Sequence, residues 1–299
     1  MKTYEVLLLG VVAVLLSVSV IIAQAAFRLD RTVLSYGFMN RETQAWIDPL
    51  DDAALHAQTI ESAYREARRA TGLAIPRDMD PYVVRAAAEA FSVRMIRHTI
   101  ASWWIEIHRG IRGELARTEL FLPLSPFKNA LLSELRTGLS ADEVRAATAA
   151  LNTIPASFDV LEILPAPVER RVVAALRRSS FASVLLQYVF PGVLIIACFF
   201  HRRIGLGVLA VGVAFLAAGI PSVAVTFLHA ETAARWVSTS LAGVLPQYLS
   251  WLREGIATTV RSIIVSGRTT SLVVTASGIA MMLLGGYTIL MKRDITIGE

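Results

Sequence analysis

Hydrophobic and polar positions fall into long blocks along this chain. Uncharged apolar runs occupy roughly residues 6–27, 181–200, 204–228 and 270–291, and each approaches or exceeds the roughly 20 residues a helix needs to cross a bilayer. Between the first two runs lies a charged stretch of about 150 residues, long enough to bury a core of its own. The pattern predicts an all-α membrane protein with four transmembrane helices and an all-helical soluble domain inserted between the first and second. Its parts are an anchor helix at 1–27, a helical extracytoplasmic domain at 28–167, an amphipathic stalk at 168–180, and the second and third spans within 181–228. An external amphipathic segment at 229–269 and a fourth span with a short cytoplasmic tail at 270–299 complete it.

Inside the soluble block the periodicity is helical and the ends are punctuated. Asp48-Pro49 opens a helix that Gly72 stops, and Asp80-Pro81 opens a longer one with an apolar stripe from Val83 to Ile111. Ser125-Pro126 starts a third helix ending near Gly138, and Ser140 with Glu143 three residues on is a capping box for a fourth, to about Asn152. Strand signals are weak, confined to 119–124 and 158–163. Pro165 and Pro167 precede the stalk. Adjacent Trp103 and Trp104 differ by about 100° around a helix, so one faces the core and the other a seam between helices.

In the third span Gly205, Gly212 and Gly219 recur seven apart, and in the fourth Ser271, Gly278 and Gly285 do the same. Such stripes let backbones approach closely in lipid, so the two spans are expected to pack on each other. Pro191 and Pro221 shape the second and third spans. Between the third and fourth spans, apolar positions from Leu241 to Ile263 form one helical face, broken at Pro246; docking under the soluble domain is expected to cover it rather than the membrane surface.

Composition refines this picture only in part. Apolar residues make up 55% and charged residues 18% of the chain, with a formal charge of +5. Acids and bases nearly balance in the soluble block, so the excess lies beside the spans and a nucleic-acid partner is not expected. The N-terminus has a basic end, an apolar middle and the small-x-small site Ala23-Gln24-Ala25 of a secretory signal. Its apolar run exceeds a signal core, which favours an uncleaved anchor; either form sends the next domain out of the cytoplasm. Basic residues beside the spans conflict in raw number, but Lys2, the His201-Arg202-Arg203 turn and Lys292-Arg293 agree with one another. The expected topology is a multi-pass protein of a bacterial or archaeal plasma membrane, both termini inside. Cys198, the only cysteine, lies in the second run and reads as a small apolar residue.

Candidate chemistry is sparse. No nucleophile elbow, phosphate loop, dinucleotide fingerprint or histidine metal pair occurs, so no catalytic, cofactor-binding or metal residue is expected. His98, Ser102 and Glu106 stack along one edge of a helix as a polar groove, although neighbouring Arg94, Arg97 and Arg109 mark that edge as solvated.

The segments Leu124-Ser125-Pro126-Phe127-Lys128 and Ile154-Pro155-Ala156-Ser157-Phe158-Asp159, with the arginine-then-span, glycine-rich-span succession from Arg177 to Gly219, resemble an uncharacterised family of prokaryotic four-span membrane proteins. The resemblance implies one helical extracytoplasmic domain between the first and second spans and brings no catalytic residues. The expected function is non-enzymatic: an envelope scaffold, sensor or assembly subunit whose outer domain binds a protein or cell-envelope component, with membrane lipid and a protein partner or second copy as contacts. A channel or transport component is the alternative.

Overall fold

A computed structural model describes residues 3–71, 79–115, 118–160, 182–183, 185–199, 204–243 and 245–297. The stalk at 168–180, Gly72, Pro165, Pro167, Lys2 and the His201-Arg202-Arg203 turn lie outside these residues. In chain order the helices are α1 (Thr3–Arg31), α2 (Tyr36–Ile47), α3 (Asp52–Leu55), α4 (Glu61–Thr71), α5 (Asp80–Ala90) and α6 (Val93–Arg112). After strand β1 (Phe121–Pro123) come α7 (Ser125–Gly138), α8 (Ala141–Thr153) and strand β2 (Ser157–Asp159). Then follow α9 (Phe190–Phe199), α10 (Ile204–Leu228), α11 (Ala230–Ala242), α12 (Ser250–Ser266) and α13 (Arg268–Ile297). The fold class is all-α; among the described residues β1 and β2 are the only strands. Their signals are weak because three residues each suffice: Phe121 pairs with Asp159, Leu122 with Phe158 and Pro123 with Ser157, antiparallel.

The chain divides into two compact units: an apolar one of Met1–Ser35, Leu176–Val237 and Ala257–Glu299, and a polar one of Tyr36–Ala175 and Ser238–Ile256.

Three helical stretches are long and apolar enough to cross a membrane: Val6–Arg31 and Ile204–Leu228 in the apolar unit, and Gln247–Met291, whose first ten residues belong to the polar unit. The run at 181–200 contributes a shorter apolar helix, Leu185–Phe199. Of the three, Ile204–Leu228 is the hub, with 39% of its most apolar window buried against 11% in each of the others. Leu16, Val20, Cys198, Val211, Ala214 and Ala218 form the buried centre, where α1, α9 and α10 meet. Helix α1 continues through Arg31, one turn past the end of its uncharged run, because nothing after Phe27 breaks it.

In the polar unit α5 and α7 pack through Ala86, Ala130, Leu131 and Leu135, joined by Leu151 of α8. Two helix boundaries differ from the sequence expectation. The helix expected from Asp48-Pro49 starts at Asp52, because α2 already occupies 36–47 and Pro49 falls in the turn closed by Leu50 N–H to the Ile47 carbonyl. A π-helical turn, His56–Ile60, then joins α3 to α4. The helix expected to run unbroken from Asp80 to Ile111 is two. Ser92 takes an extended conformation and caps α6, its hydroxyl accepting from Met95 N–H at 3.3 Å while Asp52 accepts from Val93 N–H at 2.7 Å. An apolar stripe records which face is buried and continues across such a cap, so periodicity alone overlooks it.

Helices α7 and α8 cover the stretches their punctuation marks. At α8 the capping box is complete, Glu143 N–H donating to Ser140 Oγ at 3.4 Å, while Ser140 Oγ and N–H both donate to the Glu143 carboxylate, at 2.6 and 2.8 Å. These bonds, the hydroxyl first, hold the Glu143 carboxyl below its ordinary range. Trp103 donates to the Phe121 carbonyl at 2.9 Å and Trp104 to Thr43 Oγ1 at 2.9 Å, so the pair ties α6 to β1 on one side and to α2 on the other.

Candidate functional site

The small-residue stripes meet. A β-carbon added at Gly212 would lie 2.6 Å from Met282 N and 3.0 Å from the Gly278 carbonyl. One at Gly278 would lie 2.9 Å from Leu216 N, and one at Gly285 would lie 2.9 Å from the Gly205 carbonyl. Gly205 faces Thr288, and Gly219 faces Thr275, whose N would be 2.9 Å from the added carbon. The backbones of α10 and α13 are therefore in contact, which only hydrogen side chains allow. Ser271 is the exception: it is fully buried but donates to Gln24 Oε1 of α1 at 3.3 Å. Gly207, which lacks a stripe partner, presses on the Cys198 carbonyl of α9.

His98, Ser102 and Glu106 do not act as one constellation. Ser102 donates to the Thr99 carbonyl at 2.7 Å, and Glu106 pairs with Arg109 at 3.0 Å. His98 instead lines an open cavity of about 690 Å³ with Gln44, Ser92, Arg94, Met95, Arg97 and Ala101. Arg97 is held by Asp48 at 2.8 Å. Arg94 and His98 are exposed at the same cavity, so it presents positive charge and an imidazole to whatever enters. Among the described residues no group of three or more His, Cys, Asp or Glu could hold a metal ion.

Elsewhere in the polar unit, the amphipathic segment after Pro246 is pinned by hydrogen bonds. Thr59 Oγ1 donates to the Tyr248 carbonyl at 3.2 Å and accepts from Trp251 Nε1 at 3.2 Å. Gly255 leaves room for the Trp46 ring of α2, directly against it.

The apolar unit holds a second cavity, of about 210 Å³, between α1 and α10. It is lined by Ile21, Gln24, Ala25, Arg28, Pro221, Ser222 and Val225. Gln24 is 6% exposed, and once its carbonyl oxygen has accepted from Ser271 its Nε2 has no hydrogen-bond partner; Arg28 Nε is buried without one as well. A buried donor left unpaired costs about 1–3 kcal/mol, more when charged. Ser222 spends its proton on the Ala218 carbonyl at 2.9 Å. The Arg28 guanidinium lies on Gly267, which has no side chain to displace it. Sequence reasoning overlooked this site because Gln24 resembled part of a cleavage motif and Arg28 sat just beyond the uncharged run. The available signal was a glutamine and an arginine four apart, on one face of a helix. No family model, curated protein or solved structure matches this chain.

Proposed function

We propose that the chain is a four-span membrane protein whose helical domain lies outside the cytoplasm and binds a protein or envelope component without catalysing a reaction. The observation that carries this reading is the open cavity of about 690 Å³ lined by Arg94, Arg97, His98 and Gln44. Its volume suits a side chain or a sugar-sized group. Its lining suits carboxylate or phosphate oxygens, which guanidinium groups bind with directional, charge-assisted hydrogen bonds. In this reading Leu185–Phe199 is the core of the second span, lengthened by the flanking apolar residues of the run at 181–200, and both termini are cytoplasmic.

Two measurements test it. A photo-crosslinking residue at Ala101, on the cavity wall, is expected to give a defined adduct in intact cells that Arg94→Ala with His98→Ala abolishes. An adduct indifferent to both substitutions means the cavity is not the binding site. For topology, a cysteine at exposed Glu66 is expected to react with an impermeant thiol reagent in intact cells while one at Arg203 does not; the native Cys198 is buried and adds little background. The reverse pattern moves the domain to the cytoplasm and removes the envelope partner.

A further inference from the structure

The cavity between α1 and α10 combines features that neither helix packing nor the proposed partner site accounts for. Two donors, Gln24 Nε2 and Arg28 Nε, are buried without acceptors within one turn of each other. Four residues of helix separate them, about 6 Å of rise. Gln24 is 6% exposed and fixed by the Ser271 hydroxyl at 3.3 Å, which orients the unpaired amide hydrogens. A snorkelling arginine would extend its head toward water; Arg28 instead lies on Gly267 with its Nε buried.

The walls carry the opposite character. Ile21, Ala25, Pro221 and Val225 line the same cavity and are exposed on the surface of the apolar unit. A ligand must therefore accept hydrogen bonds and carry negative charge at one end while tolerating hydrocarbon at the other. Depth agrees, since Gln24 and Arg28 lie near the end of Val6–Arg31, and Pro221 to Val225 near the end of Ile204–Leu228, where headgroups meet acyl chains. Arg268 of α13, which donates to the Thr226 carbonyl at 3.2 Å, adds positive charge near these helix ends and attracts anionic lipid.

We infer that the groove between α1 and α10 binds an anionic phospholipid, with Arg28 and Gln24 donating to its phosphate oxygens and Ile21, Ala25 and Val225 lying against its hydrocarbon. About 210 Å³ holds the phosphate and its glycerol; the acyl chains remain in the bilayer. The inference rests on reading this unit as membrane-embedded, which alkaline carbonate extraction tests separately: retention of the protein in the pellet is independent of any bound lipid.

Full-length protein, delipidated in mild detergent, is to be titrated with phosphatidylglycerol, phosphatidylcholine and glycerol phosphate, following retained lipid by native mass spectrometry and stability by thermal melting. Phosphatidylglycerol is expected to be retained and to raise Tm. Arg28→Gln is expected to weaken its binding about tenfold or more, the scale of one lost charge-assisted bond. Arg31→Gln, a neighbouring cation outside the cavity, is expected to bind like the wild type. Ser222→Leu fills the groove without removing charge and is expected to lose the lipid too, so the test survives a poorly folding Arg28 variant. Equal binding by wild type, Arg28→Gln and Ser222→Leu overturns the site. Equal stabilisation by glycerol phosphate identifies a free-anion site and overturns the lipid, equal retention of phosphatidylcholine overturns the charge selectivity, and no retained lipid means water alone fills the groove.

Discussion

Helices α10 and α13 meet backbone to backbone at Gly212 and Gly278, whereas α5 and α7 meet through the side chains of Ala86, Ala130, Leu131 and Leu135. The two units of one chain are held together by different physics. In water, burying a leucine removes apolar area from the solvent, and larger side chains stabilise more. If the apolar unit lies in lipid, as proposed above, that drive is absent there, so association depends on close approach, which small side chains allow. The same substitution should therefore differ sharply in cost between the two units.

The largest effect tests the polar core. Leu135→Ala, at a position 4% exposed, is expected to destabilise the polar unit by about 2–5 kcal/mol, while Leu209→Ala in the apolar unit costs much less. Denaturant or thermal melting with a probe in each unit measures this, and equal losses would erase the distinction between the two packing modes.

Next comes the reciprocal change. Gly212→Leu drives a side chain into Met282 N and the Gly278 carbonyl, and because backbone cannot yield as a flexible side chain does, the cost is expected to reach about 3 kcal/mol, the upper part of the overpacking range. Gly10→Leu, on α1 with no atom within 4 Å of its added carbon, is the control and should leave Tm in detergent nearly unchanged. Matching Tm losses for the two glycines would mean the seam is not close-packed.

A smaller effect concerns the segment after Pro246. Trp251→Phe removes the donor to Thr59 while keeping the ring and is expected to cost about 1 kcal/mol. Hydrogen exchange should show faster opening over 247–256; unchanged protection there would show that the bond does not hold the segment.

The smallest effect is electrostatic. Because its bonds to Ser140 depress the folded-state pKa of Glu143, its contribution to stability is fully present above the unfolded-state pKa and is lost as pH falls through the folded one. Ser140→Ala should raise the Glu143 titration toward the ordinary carboxylate value, followed by NMR, and flatten the acid limb of the stability profile. A titration that does not move would remove the capping box as its cause.

Local signals in this sequence are read well and surfaces poorly. Ser140 with Glu143 and Ser125-Pro126 specify helix starts because a cap satisfies donors within one turn and needs no distant partner. Ser92 carries the same kind of signal, yet the apolar stripe running through it hid the break between α5 and α6. The glycine stripes identify faces that can come close, but the partner of Gly219 is Thr275, while Ser271 turns to Gln24, 247 residues away. His98, Ser102 and Glu106 share an edge of α6 yet do not work together, because Ser102 bonds the Thr99 carbonyl and Glu106 pairs with Arg109.

The sequence by itself determined that the chain is helical, that its apolar blocks segregate from a charged one, and that α10 and α13 each carry a stripe of small residues. These follow from periodicity and block length, properties of residues a few positions apart. Only the tertiary structure decided that an amide and a guanidinium would be buried together beside Pro221, that Arg94 and His98 would share a cavity, and that Thr59 would hold Trp251, 192 residues further on. The reason is physical: a polar atom becomes a site only when its neighbours leave it unpaired, and those neighbours come from helices whose order in sequence says little about which faces will meet.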